Sequence, residues 1–232
     1  MNTKKILAFG AHPDDVEFGC GGLLIKEIEN GAQVKIVICS LGEAGTNGTP
    51  ESRKEEATNA AKFIGAEVEF IDLGGDCHIG YIPENSMKLA GIIREYKPNI
   101  VLTTSQTENQ HPDHKAVSKL AHAASRMARY GGLKELNNNP VHAIDALYYY
   151  PSSAEFDKKP DLIIDVSAQY DKWEKAMSMH ESQMKTRGYI NLVQSRARAL
   201  GASIGVEYAT MLWVNDTPLV GSVFDLGSSR KY

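Results

Sequence analysis

The chain has 232 residues, of which 42% are hydrophobic and 23% are charged, and it carries a formal net charge of -4 at pH 7. This composition is typical of a folded globular protein and excludes a disordered or collagen-like chain. The negative balance excludes the broad basic surface by which proteins bind nucleic acid, and no apolar run reaches the ~18 residues of a membrane span.

The first half of the chain alternates short β-branched apolar runs with segments of helical periodicity. Strands are predicted at residues 6–9, 34–39, 68–71 and 100–103. An irregular loop is expected after the first strand, before a helix at about 23–30, and Thr49-Pro50-Glu51 opens a second helix that stops at Gly65. Further helices are predicted at about 84–96 and 115–130 from the spacing of their apolar residues.

The pattern is looser in the second half, where strands are predicted at residues 146–150, 162–166 and 209–214, and helices at about 168–184 and 190–200. Strands that alternate with helices form βαβ units. The chain is therefore predicted to fold as α/β, with a mainly parallel sheet covered by helices on both faces. No repeat or shift in composition divides the sequence, and a single domain over residues 1–232 is expected.

Polar loops follow two of the predicted strands. Ala11-His12-Pro13-Asp14-Asp15 comes after the first strand, and His111-Pro112-Asp113-His114 comes after the fourth. Three of the seven histidines of the chain lie in these loops, together with three aspartates. Because ligands bind beyond the carboxyl ends of parallel strands, the two loops are expected to meet in one crevice.

The residue types in these loops point to a metal. Imidazole and carboxylate groups are good zinc ligands, and three protein ligands with a fourth position open to water are typical of a catalytic site. His12, Asp15 and His114 fit that count. Pro13 stiffens the turn, so that His12 and Asp15 can converge while Asp14 points elsewhere. One such loop is equally well explained as an ordinary turn, but two loops at one sheet edge favour a metal site.

The two loops resemble the signature motifs of the PIG-L/LmbE-like zinc-dependent N-acetylglucosaminyl deacetylases. The similarity extends over nearly the whole chain, through residues 16–22, 53–57 and 205–209, and is greatest to the deacetylases of bacillithiol biosynthesis. The resemblance implies a Rossmann-like fold with the active site at the carboxyl edge of the strands. It also implies a single Zn²⁺, with Fe²⁺ as the alternative ion in the cell, and a homo-oligomer, often a hexamer.

By matched position, the resemblance implies that the metal is held by His12, Asp15 and His114. It also implies that Asp14 is the general base for the attacking water. His111 would stabilise, as an imidazolium, the oxyanion of the tetrahedral intermediate, with Asp113 bonded to its other ring nitrogen. The spacing of His111 and His114 also allows His111 to be a metal ligand instead. Either Asp14 or His111 could protonate the leaving amine.

Two residues outside the loops match functional positions of the family. Arg53 resembles its sugar-binding arginine, although a solvated charge at a helix start is the alternative, and Tyr189 resembles a lid tyrosine. Gln110 departs from the pattern, because bacillithiol-type enzymes tend to carry an arginine there, and this weighs against a malate-bearing substrate.

Four histidines lie outside the two loops. His78, with Asp76 and Cys77 next to it, follows the third predicted strand and could line the same crevice or add a ligand, although a lone loop histidine is more often structural. The remaining ones are interpreted as packing or surface residues: His122, His142 and His180.

The sequence predicts an enzyme that removes the N-acetyl group from a small soluble N-acetylglucosamine conjugate, of the bacillithiol-precursor type that converts GlcNAc-malate to GlcN-malate. The alternatives are another N-acetylated sugar, such as diacetylchitobiose or an antibiotic intermediate, and a non-catalytic zinc-dependent sugar-binding subunit, which would need neither Asp14 nor His111. Three cysteines without a paired motif and the absence of a signal peptide predict a cytoplasmic protein. Neither nucleic acid nor a membrane is an expected partner.

Overall fold

The computed structural model describes residues 3–107, 111–152, 158–185, 188–225 and 227. The strands in this part of the chain are β1 (Lys5–Gly10), β2 (Gln33–Ile38), β3 (Glu67–Phe70), β4 (Ile100–Thr104), β5 (Ala146–Tyr150), β6 (Leu162–Asp165) and β7 (Ala209–Val214). The α-helices are α1 (Asp15–Glu29), α2 (Pro50–Ile64), α3 (Pro83–Tyr96), α4 (Pro112–Met127), α5 (Tyr170–Ser178), α6 (Glu181–Met184) and α7 (Tyr189–Ile204). Within the described ranges, no helix has both the length and the apolar character needed to cross a membrane.

The strands form a seven-stranded sheet in the order β3-β2-β1-β4-β5-β7-β6. The first five strands of the chain pair in parallel, and β7 runs antiparallel to both β5 and β6. The predicted α/β fold with a mainly parallel sheet is confirmed. The chain winds outward in both directions from β1 and β4, which are neighbours. Their carboxyl ends therefore lie at the switch point of the sheet, where open α/β folds bind ligands.

Alternate residues of β1 point to opposite faces of the sheet. Ile6 and Ala8 belong to a core cluster with residues of α1, α2 and α5, whereas Leu7 and Phe9 belong to a second cluster with residues of α3 and α4. Helices therefore cover both faces, as predicted, and β1 is buried from Ile6 to its end. This burial fixes the backbone that leads into the first His-Asp loop.

Helix α1 begins at Asp15, so the irregular loop predicted before a helix at about residue 23 is wrong. The glycines of this segment disfavour a helix by about 1 kcal/mol each. The fold requires glycine here because larger residues would collide with neighbouring rings. A Cβ atom on Gly19 would overlap the ring of Tyr150, and Trp173 lies against Gly21 and Gly22. Packing against two large aromatic side chains outweighs the local preference.

Two further helices differ from the prediction. Helix α4 begins at Pro112, so that His111 is its N-cap and His114 lies in its first turn, where the sequence predicts a loop. Proline at the first helical position is preorganised for this start. The helix predicted at about 168–184 is instead divided into α5 and α6 at His180, which turns into the protein interior and is fully buried.

Candidate active site

The loops at the carboxyl edge of the sheet line a cavity of about 290 Å³, together with the start of α7. Among the predicted site residues, only Asp113 is absent from its wall. The described residues that line the cavity are His12, Asp14, Asp15, Phe18, Ala44, Gly45, Thr46, Arg53, Asp76, Cys77, His111, His114, Ser152, Gln183 and Tyr189. The two His-Asp loops therefore meet in one crevice, as predicted.

Backbone hydrogen bonds fix the first loop. The N–H groups of Ala11 and His12 both donate to Oδ2 of Asp15, each at 2.9 Å. The other oxygen of Asp15, Oδ1, lies 3.0 Å from Nε2 of His114. The hydroxyl of Thr104, the last residue of β4, donates to the carbonyl of His114 at 2.6 Å. Strand ends and helix starts thus hold the carboxylate and the imidazole in place.

His12, Asp15 and His114, here called the inner cluster, are buried, and their ligand atoms lie within 4.8 Å of one another. Nδ1 of His12 is 3.5 Å from Asp15 Oδ2. A tetrahedral ion with bonds of roughly 2.0–2.2 Å separates its ligand atoms by roughly 3.3–3.6 Å. The inner cluster is therefore close to the spacing that a divalent ion requires.

The electrostatics of the cluster favour a cation. Burial lowers the pKa of His12, but hydrogen bonds with Asp113, Asp15 and Asp76 outweigh burial and raise this pKa to about 12. Burial opposes ionisation of Asp15, yet His114 and His12 hold its pKa well below the usual range. The carboxylates therefore hold a positive charge on His12. A metal ion would supply that charge instead and leave the imidazole neutral, as a ligand must be.

Asp14 lies at the N-cap of α1 with a φ of 122°, in a region that residues other than glycine rarely adopt. Strain of this kind costs about 1–3 kcal/mol and is often found in active sites. It allows the Asp14 carboxylate to face the cavity, although its sequence neighbour Asp15 turns inward. Burial and the charge of Asp15 raise the pKa of Asp14 to about 6. This carboxyl group is therefore able to accept and release a proton near neutral pH.

Arg53 is buried in α2, and its guanidinium binds two backbone carbonyls. Nη1 donates to Gly42 at 3.0 Å and Nη2 donates to Pro13 at 3.2 Å, while Nη2 is 3.9 Å from Asp14 Oδ2. The loop after β2 wraps closely around this side chain, because Cβ atoms on Gly42 or Gly45 would overlap it. Arg53 lines the cavity, and it joins the β2 loop to the turn that carries Asp14. Its contact with a sugar stays a prediction.

His111 and Asp113 do not pair in the predicted way. Nδ1 of His111 accepts a hydrogen bond from the backbone N–H of Asp113 at 3.3 Å, because the histidine is the N-cap of α4. The Asp113 carboxylate is 3.9 Å from that nitrogen and instead accepts from Cys77 N at 2.7 Å and lies 3.3 Å from His12 Nε2. Burial, His12 and His114 lower the pKa of His111. The predicted hydrogen bond from the ring of His111 to Asp113 is therefore absent, and the carboxylates near the ring do not outweigh the groups that lower its pKa.

Asp76, which the sequence placed beside His78 in a loop that could line the crevice, is the residue of that loop that contacts the site histidines. It is buried in the loop after β3, and its Oδ1 lies 3.1 Å from His12 Nε2 and 3.2 Å from His111 Nε2. The signal available was its position after a parallel strand, the same signal that identified the two His-Asp loops. His78 lies in the same loop but is exposed and does not line the cavity. Its Nδ1 is 2.8 Å from the backbone carbonyl oxygen of Asp76.

Tyr189 is the first residue of α7 and lines the cavity, with its ring centroid 6.0 Å from that of Phe18. Gln183 of α6 lines the same wall, and its amide donates to Asn47 O at 3.2 Å. Residues of α6 and of the start of α7 therefore both contribute to the cavity wall. Gln110 lies outside the described residues.

Behind this wall lies a buried ion pair that the sequence did not suggest. Glu17 and His180 are 1% and 0% exposed, and His180 Nε2 is 3.6 Å from Glu17 Oε2. Within the described ranges, none of their side-chain nitrogen and oxygen atoms has a hydrogen-bond partner. Burial lowers the pKa of His180, but Glu17, Asp14 and Glu56 together raise it. His180 is therefore buried, in agreement with the packing role predicted from the sequence, but the prediction missed its pairing with Glu17.

We expect Glu17→Gln or His180→Ala to destabilise the metal-free protein by about 3–5 kcal/mol, because each leaves an uncompensated buried group. Thermal unfolding measures the effect, and for a chain of this size about 1 kcal/mol corresponds to roughly 2–4 °C. The control is Glu29→Gln at the exposed end of the same helix, which should cost at most about 1 kcal/mol. Equal melting temperatures for all three variants would contradict the importance of the pair.

Known proteins share the part of the sequence that forms this site. The family model described as PIG-L, GlcNAc-PI de-N-acetylase, matches residues 7–125, which include both His-Asp loops. The 4-oxalmesaconate hydratase of Pseudomonas putida is 30% identical over 190 residues, which cover 74% of this chain and 72% of the relative. The diacetylchitobiose deacetylase of Thermococcus kodakarensis is 28% identical over 198 residues, covering 78% and 71%.

The fold is also found among solved structures. A conserved protein of Thermus thermophilus superimposes with a TM-score of 0.85 at 29% identity, over 96% of this chain and 99% of that protein. The family model covers about half of the chain, from β1 through most of α4, and the hydratase match extends well beyond it. From its sequence, its fold and the convergence of its two signature loops, this chain is an enzyme that belongs to the PIG-L family of deacetylases.

Proposed function

We propose that this protein is a metal-dependent hydrolase that removes the N-acetyl group from a small N-acetylglucosamine-type sugar. The observation that carries the proposal is the joint placement of Asp14 and the inner cluster in one cavity, at the switch point of the sheet. A sugar-binding subunit without catalytic activity would have no use for a strained carboxylate with a pKa near neutrality. Zn²⁺ suits these nitrogen and oxygen ligands, and Fe²⁺ is the alternative.

His12, Asp15 and His114 would hold the ion, which supplies Lewis acidity toward water and the amide carbonyl when it is bound. Asp14 takes a proton from the attacking water as the new C–O bond forms. The same carboxyl group can then deliver that proton to the leaving nitrogen. The pKa of Asp14 is about 6 in the metal-free chain and a bound cation lowers it, so the carboxylate is ionised at neutral pH and able to accept the proton of water.

His111 is placed to donate a hydrogen bond to the oxyanion. Since Nδ1 accepts a bond from the helix backbone, the neutral ring carries its proton on Nε2. His111 lines the cavity, and in the metal-free chain its Nε2 is 3.2 Å from Asp76 Oδ1. A neutral imidazole therefore carries the donor, which would turn from Asp76 to the oxyanion, and no positive charge on His111 is required.

We expect His111→Ala to retain its metal and lose about 10²–10³-fold in kcat, the typical effect of removing one oxyanion donor. Metal analysis and steady-state kinetics on the same preparation measure both quantities. His142→Ala is a matched control, because this histidine binds the carbonyl of Pro98 outside the cavity. Loss of metal from His111→Ala would instead identify His111 as a ligand.

The cavity favours a small substrate with little charge. Its volume of about 290 Å³ lies at the lower end of the ~300–1,000 Å³ typical of ligand pockets. Among its described lining residues, Arg53 is the only lysine or arginine, and both terminal nitrogens of its guanidinium already bind backbone carbonyls. An uncharged N-acetylated sugar is therefore a better match than a substrate with several carboxylates. The GlcNAc-malate conjugate predicted from the family resemblance carries the two carboxylates of malate, so the cavity favours it less than an uncharged sugar.

A hydratase is the second candidate, because the Pseudomonas putida relative carries that name at 30% identity. A general base and an activated water can also add water to a carbon-carbon double bond. The two reactions differ in their products, since only the hydrolase releases acetate. The scarcity of free cationic groups in the cavity weighs against a polycarboxylate such as 4-oxalmesaconate.

The test is acetate release by the metal-loaded protein from N-acetylglucosamine, diacetylchitobiose and GlcNAc-malate, in parallel with hydration of 4-oxalmesaconate followed by its ultraviolet absorbance. We expect acetate release from at least one sugar and no hydration. The His114→Ala protein is the control for contaminating activity. Hydration without acetate release would replace the first candidate by the second.

A further inference from the structure

A second group of metal-ligand atoms lies beside the inner cluster in the same cavity. Sγ of Cys77 is 3.6 Å from Oδ1 of Asp76 and 3.6 Å from Nε2 of His111, and the last two atoms are 3.2 Å apart. We call these three residues the outer cluster. None of them belongs to the ligand set proposed for catalysis. All three line the cavity, so a small ion can reach them from solvent.

The spacing of these atoms fits a tetrahedral ion. Bonds of about 2.0–2.1 Å to nitrogen or oxygen and about 2.3 Å to sulfur place neighbouring ligand atoms roughly 3.3–3.6 Å apart. The two separations that involve sulfur, both 3.6 Å, lie at the upper end of this range. The separation between nitrogen and oxygen, 3.2 Å, is shorter than the lower end by about 0.1 Å. Thiolate, imidazole and carboxylate form a ligand set that suits Zn²⁺ and excludes Mg²⁺ or Ca²⁺.

The backbone of the β3 loop is fixed before any ion arrives. The N–H of Asp76 donates to Glu43 Oε2 at 2.9 Å, and the N–H of Cys77 donates to Asp113 Oδ2 at 2.7 Å. These bonds hold Cys77 at a φ of 65°. His111 is fixed independently as the N-cap of α4. Little conformational freedom is therefore lost when an ion binds, which favours affinity.

A further carboxylate, that of Asp113, stands beside the outer cluster and attracts positive charge, with its ligand atom within 4.8 Å of those of Asp76 and His111. The ligand atom of His12 is equally near, and its imidazole is neutral when the inner cluster holds its ion. A divalent ion would reverse the local field that now disfavours a thiolate. On binding, the Cys77 thiol loses its proton to solvent and a sulfur-metal bond forms. No oxidation or reduction takes place.

We propose that Asp76, Cys77 and His111 bind a second divalent ion of the Zn²⁺ type, and that this ion inhibits the enzyme. The inhibition rests on the proposed function, in which His111 Nε2 donates to the oxyanion. A nitrogen that coordinates an ion has no proton to donate, so the second ion removes that donor and obstructs the cavity. Excess Zn²⁺ therefore inhibits, whereas the first equivalent activates.

The test is a titration of the metal-free protein with Co²⁺ and Zn²⁺, without substrate. Co²⁺ bound to a thiolate gives a charge-transfer band in the near ultraviolet, whereas the inner cluster has no sulfur. We expect the band to appear only with the second equivalent. Cys77→Ser should lose the band. It should also bind the second equivalent at least ~10–100-fold more weakly, because that is the cost of changing a residue that only hydrogen-bonds to a metal ligand. It should keep the first equivalent.

Controls separate the outer cluster from other thiols and from loss of structure. Cys20→Ala removes a thiol that is buried in the core and should retain the band. Cys77→Ala is a second test should the serine variant fold poorly. Absence of the band in the native protein, or its persistence in both Cys77 variants, would overturn the proposal. So would saturation of the native protein by a single equivalent.

Activity is measured separately in the same titration. If acetate release falls as the second equivalent binds in the native protein, and Cys77→Ser resists that fall, the inhibitory role is supported. A second equivalent that binds without any effect on the rate would overturn inhibition. Failure of the proposed function has a different signature, because no acetate is then released with one equivalent, whatever the spectrum shows.

Discussion

Replacing His114 with alanine is expected to abolish metal binding and, with it, activity. His114 contributes one of three ligands, and its imidazole also balances the buried charge of Asp15 at 3.0 Å. Outer-shell changes alone cost about 10–100-fold in metal affinity, so the loss of a ligand should exceed about 100-fold. Elemental analysis of the purified variant measures the bound ion, and acetate release measures the rate.

The matched control is His122→Ala, which removes an exposed histidine from the same helix α4. This variant should bind metal as the native protein does. His12→Ala should behave as His114→Ala does, because both belong to the inner cluster. Equal metal content in the native protein and both inner-cluster variants would show that the ion is held elsewhere.

Asp14→Asn is expected to retain its metal and to lose about 10²–10⁴-fold in kcat, the usual contribution of a general acid-base group. Asparagine matches aspartate in shape and accepts positive φ better than most residues, so the strained turn should persist. The amide cannot take a proton from water. Asp171→Asn, at an exposed carboxylate in α5, is the control. A rate within a few-fold of the native value would exclude Asp14 as the base.

The pH profile gives an independent check on Asp14. Burial and Asp15 raise its pKa to about 6 in the metal-free chain, and a bound cation lowers that pKa. The protonated carboxyl group is inactive as a base, so the native rate should decline as the pH falls through a value at or below about 6. The residual activity of Asp14→Asn should lack this decline.

Much of the site could be predicted because its chemistry is local in sequence. His12 and Asp15 follow one strand and His114 follows another, so residue type and strand ends suffice to bring them together. The mainly parallel sheet followed from alternating strand and helix patterns in the same way. The roles of Asp14 and Arg53 came from resemblance, and the structure adds the strain at one and the carbonyl contacts of the other.

Features that depend on distant packing were not predictable. The glycines of α1 disfavour a helix until Tyr150 and Trp173 are known to lie against them. Glu17 and His180 are 163 positions apart, and no local pattern joins them. The orientation of His111 also depends on a helix start that the sequence placed later, and this start directs Nδ1 to the backbone rather than to Asp113.

The packing of the β2 loop around Arg53 has a consequence for how sequences of this family can diverge. Gly42 has a φ of 70° and no room for a Cβ atom, because the guanidinium fills the space. A substitution at position 42 therefore becomes acceptable only after the arginine at 53 has been lost. In homologous chains these two positions should change together. An arginine retained opposite a bulky residue would mark a loop that has moved, and with it a cavity of different shape.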